Sequence, residues 1–550
     1  MSETRMLMPI DGMICAHCKT TVRAALEEVG ATDVRADARR SGATFALPTA
    51  IAPDALRTAV RGAGYDPGPI AGSRPVTLGS RRRSESADYD LAIVGSGAAA
   101  FAAAIAGRER DARVVMIERG TVGGTCVNIG CVPSKTMLRG AEVYHSAGYH
   151  PFRGIETRAG AVDFGQTAAQ KDALVERLRH DKYANLIDAY GWEFVRGEAR
   201  FLDPSTLAVG DRTIRAGSVI VATGARPALP PIPGLAEAGY LTSTEALDLT
   251  QVPRSLVVIG AGYIALELGQ LFRRLGSDVT LLQRGERLLP EYEPEVAEAI
   301  GAMLDREGIR VLTGIHIQRI ERADTGPRLS AVVNGEPQAL EAEQILVAAG
   351  RSPNVEALDL PAAGIGTDDR GAIVVNDQLQ TINPAVFAAG DVTLCPQYVY
   401  VAAYQGGLAA ENALTGAAKP CDLTALPGVI FTDPQVATVG LSEAQARHDG
   451  FTVKTAVLPI DVVPRAQVNY EEIGVFKLIA DAATDRILGA QIVAGNAGDV
   501  VYAATLAVKH HLTVADLAAS FAPYLTMAEG LKVGALAFTR DVGKLSCCAA

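Results

Sequence analysis

The sequence predicts an α/β protein built around two doubly wound nucleotide-binding units, with a separate small unit ahead of them. Three observations carry this. An apolar run, Leu91–Val94, leads into GSGAAA at 95–100 and an alanine-rich helix. The same grammar returns at Ser255–Gly269, with Gly260 in the place that Gly95 holds in the first unit. Ahead of both lie a helical stretch at Lys19–Val29, with Val22, Leu26 and Val29 on one face, and a second at Ala52–Gly62.

The organisation follows from these signals. Residues 1–68 form the leading unit, and 69–87 is a Pro-, Gly-, Ser- and Arg-rich linker without periodicity. Residues 88–250 hold the first nucleotide unit, 251–350 the second, and 351–425 return to the first. The stretch 426–550 lacks a third fingerprint and reads as α+β, with strands at Val475–Ile479 and Ile487–Val493 and a helix at Asp499–His510.

Composition excludes several classes. The 550 residues are 48% apolar and 21% charged, which suits a folded chain of several domains. Fifty-one basic against 62 acidic residues leave −11, so a nucleic-acid surface is not the main business. Leu91–Gly107 is uncharged but shorter than the roughly 20 residues a membrane span needs, and Gly95, Ser96 and Gly97 interrupt it. Val392–Ala410 is broken by Pro396, Gln397, Gln405 and the Gly406-Gly407 pair. The N-terminus lacks a signal-peptide core, so a cytoplasmic location without membrane insertion is expected. The eight cysteines are then reduced, catalytic or metal-binding. Cys395 and Cys421 stand alone and read as small buried side chains.

In the first unit Gly95, Gly97 and Ala100 occupy the fingerprint positions. Glycine there permits the tight turn and lets backbone N–H groups approach a pyrophosphate at the helix start. Glu118 ends the next strand, Arg113–Ile117, where its carboxylate accepts bonds from ribose hydroxyls. In the second unit Gly260, Gly262 and Ala265 repeat the pattern, but the strand end reads Leu281-Leu282-Gln283-Arg284. A carboxylate there would repel a 2′-phosphate, whereas the Arg284 guanidinium pairs with it, so NADPH is expected over NADH. Arg287 is equally a helper or a solvated side chain.

Directly after the first unit comes GGTCVNIGCVPSK at 123–135, which sets Cys126 and Cys131 in a CxxxxC pair. Together with VIVATGARP at 219–227, GAGYIALE at 260–267, AAGRSPN at 348–354 and VFAAGDV at 386–392, it resembles the pyridine nucleotide–disulfide oxidoreductase family. The resemblance implies FAD in the first site and NADPH in the second, with the flavin ring between coenzyme and cysteines. It implies cofactor contacts at Gly124, Thr125, Gly224, Gly350 and Asp391. Lys135 would lie near the flavin ring, paired with Glu267, and Tyr263 would be a gate for the nicotinamide. Cys131 would face the flavin, and Cys126 would be the outer, exchanging thiol.

Disulfide reductases of the family carry a histidine in a His-Pro-Thr segment near the C-terminus, supplied by the partner subunit. Here the matching stretch is APYLTMAE at 522–529, with Tyr524 in that place. A phenol with a reference pKa of about 10 is a poor proton shuttle near neutrality. His510 and His511 precede it on the expected helix and read as structural.

The chain ends SCCAA, so Cys547 and Cys548 are adjacent and suit soft-metal capture. GMICAHC at 12–18 resembles the metal loop of the heavy-metal-associated domain, a ferredoxin-like βαββαβ fold, with Cys15 and Cys18 as ligands.

As a whole the chain resembles the mercury-reducing branch of the oxidoreductase family. That implies a homodimer with shared active sites, acting on Hg(II)–thiol complexes as substrate. Metal would pass from Cys15 and Cys18 to Cys547 and Cys548, then to Cys126 and Cys131 of the other subunit. Tyr183, on an expected helix at 174–190 with Leu186, Ile187 and Tyr190, would line the inner metal site with Tyr524; read without the family, it is a core residue. Two other functions remain open: a disulfide reductase fused to a metal-binding domain, and a metal-buffering or chaperone protein.

Overall fold

The structure, a computed structural model, describes residues 4–11, 16–37, 42–47, 51–67, 71–72, 87–324 and 326–544. Cys15, Cys547, Cys548 and nearly all of the expected linker lie outside the described residues, as does the side chain of Cys18. The leading unit runs in the order strand Thr4–Asp11, helix Ala16–Glu28, strands Thr32–Asp37 and Gly42–Leu47, helix Pro53–Gly62, strand Asp66–Pro67. Its core is small: Met8, Ile10, Val22, Leu26, Phe45, Leu56 and Val60.

The first nucleotide unit has a central parallel sheet. Strands Glu193–Arg196, Val114–Glu118, Tyr89–Val94 and Arg212–Val221 lie side by side in that order. Val386–Ala388 returns to this sheet after the whole of the second unit and pairs in parallel with the last of these strands. The second unit repeats the order with Arg310–Leu312, Asp278–Leu282, Ser255–Ile259 and Gln344–Val347, again all parallel. Both first strands are continuous apolar runs because both sheet faces are covered. Full burial of a residue such as Leu91, Ile93 or Leu256 contributes about 1.5–3 kcal/mol. In each unit the first strand runs into its glycine turn at the sheet's carboxyl edge, where such folds place ligands.

The C-terminal unit is a five-stranded antiparallel sheet in the order Pro427–Ile430, Gln435–Gly440, Ile487–Ala494, Val475–Asp481, Val453–Pro459. Two polar joints hold it against the second unit. Buried Gln270 exchanges two hydrogen bonds with the Asp433 backbone (2.8 and 2.9 Å), beside the Arg274–Glu307 pair at 2.7 Å. Buried Lys477 reaches Glu293, Glu295 and Glu443 at 2.8, 3.0 and 3.1 Å.

Three expectations are corrected. The helix expected at 174–190 begins at Phe164, runs to Arg179, widens into a π-helical turn at His180–Ala184, and resumes as Asn185–Tyr190. Apolar periodicity does not report such a turn. Cys395 and Cys421 are half-buried, not buried. The helix expected at Asp499–His510 runs Ala497–Lys509, so His510 and His511 fall just past it; His511, at φ +56°, cannot extend it, and both are exposed. Among the described residues, no helix is long and apolar enough to cross a membrane.

Candidate active site at the junction of two nucleotide cradles

The first cradle is made by backbone. Gly95 takes φ +113°, and a Cβ there would run into the Ala222 carbonyl oxygen. Gly97 caps helix Ala98–Arg108 without any side-chain bond to the helix's first N–H groups, which leaves them for an anion. Gly124, at φ +65°, backs onto it so closely that a Cβ would sit 2.6 Å from the Gly97 Cα. Ala100 is buried in the helix against the sheet. Glu118 ends its strand with one oxygen accepting from Ser96 Oγ (2.7 Å) and the other from the Gly120 N–H (2.5 Å). The cradle fits a dinucleotide: open donors, close backbone, and an oriented acid one strand away.

The second cradle repeats this at Gly260 and Gly262, with helix Tyr263–Arg274 uncapped by any side chain and Ala265 buried within it. A Cβ on Gly262 would meet nothing within 4 Å. Gly224 (φ +68°) and Gly350 (φ +114°) sit at turns where a Cβ would likewise meet open space. Arg284 is exposed, just past strand Asp278–Leu282. Arg287 is not a merely solvated side chain: its guanidinium donates to the carbonyls of Pro290 (2.6 Å) and Tyr292 (3.1 Å).

The cysteines follow from the chain's path out of the first cradle. Cys126 lies in the short helix Gly124–Asn128, beside Thr125, and Cys131 is the first residue of helix Cys131–Gly148. Both are free thiols in hydrogen-bonding contact with each other. Asn128 ties the short helix down, donating to the carbonyls of Val122 and Gly124 at 2.9 Å and accepting from Arg179 at 3.2 Å.

The two thiols are not equivalent. A hydrogen bond from Cys126 and the nearby Lys135 ammonium, against the effect of burial, pull Cys131 down to about 7. The start of a helix also favours thiolate. Cys126 is pushed far up by the same hydrogen bond and by burial. Cys131 is thus the thiolate of the pair and Cys126 the proton holder.

Lys135 is one helical turn beyond Cys131, on the same face. Its ammonium pairs with Glu267 at 2.6 Å and lies 4.8 Å from the Phe431 ring centroid. Glu267, nearly fully buried on the helix of the second cradle, also accepts from the Phe431 N–H at 2.9 Å. Three units therefore meet at this lysine.

Tyr183 occupies the π turn. Its ring packs edge-on against Phe101 of the first cradle's helix, centroids 4.9 Å apart. Burial, then the two cysteines, push its phenol up, so it stays protonated beside them. The ring body packs on the first unit's core, as a reading without the family expects. Tyr524 is half exposed on the C-terminal unit, at 50%.

Asp391 stands at the turn Gly390–Thr393, its carboxyl raised by burial and opposed by Arg351, whose Nε is 3.7 Å away. That Arg351 Nε is buried without a hydrogen-bond partner among the described residues, and the Asp391 and Cys131 charges offset part of the cost of burying its guanidinium. An unspent buried donor between the returning segment and the thiols suits a polar cofactor laid through this gap. Arg351 was not singled out from the sequence, although it lies in the AAGRSPN string. Four tyrosines were also missed as a group: Tyr263 stacks on Tyr398 (6.2 Å), Tyr398 on Tyr400 (5.2 Å), and Tyr292 meets Tyr263 edge-on (6.5 Å). Scattered between Tyr263 and Tyr400 along the chain, they share no local pattern that could have signalled the group.

With this geometry in view, comparison with known proteins is direct. The family model for pyridine nucleotide-disulphide oxidoreductases matches residues 89–406, and that for the family's dimerisation domain matches 426–535. The chain is 52% identical to a mercuric reductase of Staphylococcus aureus over the full length of both. It is 51% identical to one of Bacillus cereus, over 98% of this chain and 86% of that one. A mercuric reductase of Shigella flexneri is 41% identical, covering 98% of this chain and 99% of its own. Among solved structures, the HOCl-induced flavoprotein disulfide reductase RclA of Escherichia coli superposes with a TM-score of 0.73 at 28% identity, over 82% of this chain and 99% of that one. The chain belongs to the pyridine nucleotide-disulphide oxidoreductase family, in which the mercuric reductases just named match it over nearly its full length.

Proposed function

We propose that the protein oxidises NADPH and reduces Hg(II) to Hg(0) at the Cys126–Cys131 pair, with FAD as the resident cofactor. The observation that carries this is a thiolate, a thiol and a phenol gathered at the meeting point of two dinucleotide cradles. Where disulfide reductases of the family carry the histidine that protonates a leaving thiolate, this chain has Tyr524. A disulfide substrate needs a proton for its leaving thiolate; a metal ion held by two sulfurs needs only two electrons. The balance is NADPH plus Hg(II) giving NADP⁺, H⁺ and Hg(0).

Bound in the first cradle, FAD supplies a two-electron carrier between a nicotinamide and a thiophilic acceptor. The chain's own residues do the rest. Gly95, Gly97 and the first turn of Ala98–Arg108 would hold its pyrophosphate, Glu118 its ribose, and Arg351 with Asp391 the polar stretch towards the ring. Lys135, locked by Glu267, keeps positive charge beside Cys131, and Cys131 takes the metal as thiolate. Cys126 follows on losing its proton, and each ligand exchange trades one sulfur for another, so the ion is never free. Tyr183 lends a hydroxyl at the metal, and Tyr524 of a second copy completes the site.

The dimer reading is supported by exposed Tyr502, Leu506 and Phe521 on the unit matched by the dimerisation model. Cys547 and Cys548 would carry Hg(II) from bulky thiol complexes to the inner pair, and Cys15 and Cys18 would collect it. The exposed free thiol of Cys131 fits a reducing, cytoplasmic compartment. One assay tests the function: NADPH oxidation in excess small thiol, with Hg(II) or with oxidised glutathione. Turnover with Hg(II) and little with the disulfide is expected; the reverse overturns the proposal. Removing residues 1–68 should leave flavin content and this activity in place.

A further inference from the structure

The strand end that would receive the coenzyme's 2′-phosphate is joined by a short chain of bonds to Tyr263. The Gln283 side-chain amide donates to the Arg287 carbonyl at 3.1 Å. The Arg287 guanidinium donates in turn to the carbonyls of Pro290 and Tyr292. Inside the loop the Tyr292 N–H bonds the Leu289 carbonyl at 2.9 Å, and Leu289 takes φ +45°, a conformation costly for a branched residue. Leu288 and Leu289 are buried, which holds the middle of the loop.

At its far end the loop is pinned. The Glu293 N–H donates to Gln491 Oε1 at 2.9 Å, and the Glu293 carboxylate pairs with buried Lys477. A change at Gln283 is therefore passed through Arg287 to the segment that carries Tyr292. Tyr292 sits there, its ring edge-on to Tyr263 and the two phenols hydrogen-bonded. Tyr398 stacks on Tyr263 from another side, ring planes 6° apart. Tyr263 is the first residue of the second cradle's helix, and 42% of it remains exposed.

We infer that Gln283 and Arg287 are positioning residues that couple the phosphate end of the coenzyme site to Tyr263. A ligand that takes the Gln283 amide away from the Arg287 carbonyl loosens the loop, and Tyr292 then frees Tyr263 from its closed stack. The coenzyme's remote phosphate thereby does more than bind: it opens the nicotinamide end. This rests on residues 255–347 being the NADPH unit.

The test splits the coenzyme in two. Flavin-loaded enzyme is mixed with reduced nicotinamide mononucleotide as hydride donor, with and without adenosine 2′,5′-bisphosphate. The bisphosphate should accelerate flavin reduction by about fivefold or more. Gln283→Met and Arg287→Met should abolish the acceleration at bisphosphate concentrations that calorimetry shows to saturate each variant. Gln283→Met keeps the test available should the arginine variant fail to fold. Because the bisphosphate works against the Tyr263–Tyr292 contact, Tyr263→Phe should tighten its calorimetric Kd, with no hydride donor present. If the bisphosphate binds but leaves the rate unchanged, or accelerates both variants as it does the parent, the coupling is wrong. If it does not bind while NADH supports turnover, the NADPH assignment fails and takes the inference with it.

Discussion

The two nucleotide units begin with the same backbone and then diverge. Gly97 and Gly262 both cap their helices at φ −82°, ψ −170°, and Gly95 and Gly260 lie at φ +113° and +116°. In each unit a Cβ on the first glycine would strike a carbonyl just past a parallel strand, Ala222 in one and Ala348 in the other. Beyond the turn the likeness ends. The first cradle is closed by Gly124 pressed on Gly97 and finished by Glu118, whose two oxygens are both bonded. The second is open above Gly262 and finished by exposed Arg284. One turn geometry thus serves two purposes. A walled cradle beside the thiols suits a ligand that stays, and an open one with a cationic rim suits a ligand that comes and goes.

The contrast between the units is tested most severely at the thiols, which only the first unit carries. Cys126→Ala or Cys131→Ala should lower Hg(II)-dependent NADPH oxidation by about 10³-fold or more, since the two sulfurs act as one unit. Flavin content measured by absorbance should stay unchanged. The wall comes next. Gly124→Ala forces a Cβ against the Gly97 backbone at a left-handed φ, at a cost of about 1–3 kcal/mol, and should lower both flavin occupancy and Tm. Gly262→Ala has room and should leave Tm and flavin as they are, weakening only coenzyme binding. Equal losses in the two variants would remove the distinction between closed and open cradles.

The rims differ in charge, and that is testable on a smaller scale. Arg284→Glu should cut the ratio of kcat/KM for NADPH over NADH by about 10- to 100-fold, the loss of a charge-assisted contact of about 1.5–3 kcal/mol. An unchanged ratio would show that coenzyme choice lies elsewhere. The smallest expected effect is in pH. Because Cys131 is held near 7, below the ordinary thiol range, its alkylation by iodoacetamide in the reduced enzyme should rise with pH through about 7 and then level off. One unit below that midpoint the rate should be about tenfold under the plateau, following the thiolate fraction. Cys126→Ala should move the midpoint upward, and Lys135→Met should move it upward by less, in the order of their influence on Cys131.

The two nucleotide cradles depend on neighbours along the chain and were legible in the sequence. Strand, glycine turn and helix are contiguous, so both cradles could be read from Gly95, Gly97, Gly260 and Gly262. Cys131 and Lys135 are one helical turn apart, so their adjacency also follows from the string. The charge difference between Glu118 and Arg284 needs only strand periodicity to place it. Tertiary structure alone decided what crosses between units. No local pattern announces that Arg351, separated from Cys131 by the whole second unit, leaves a buried Nε near it, or that Phe431 lies beneath the Lys135 ammonium. The π turn that presents Tyr183 is likewise invisible, because a widened turn barely disturbs the apolar stripe on either side of it. Cys126 and Cys131 look alike as letters; burial, their mutual hydrogen bond and one ammonium make one a thiolate and the other a thiol. Local sequence sets backbone conformation through sterics and periodicity, whereas charge state and reactivity depend on which distant groups the fold brings within a few ångströms.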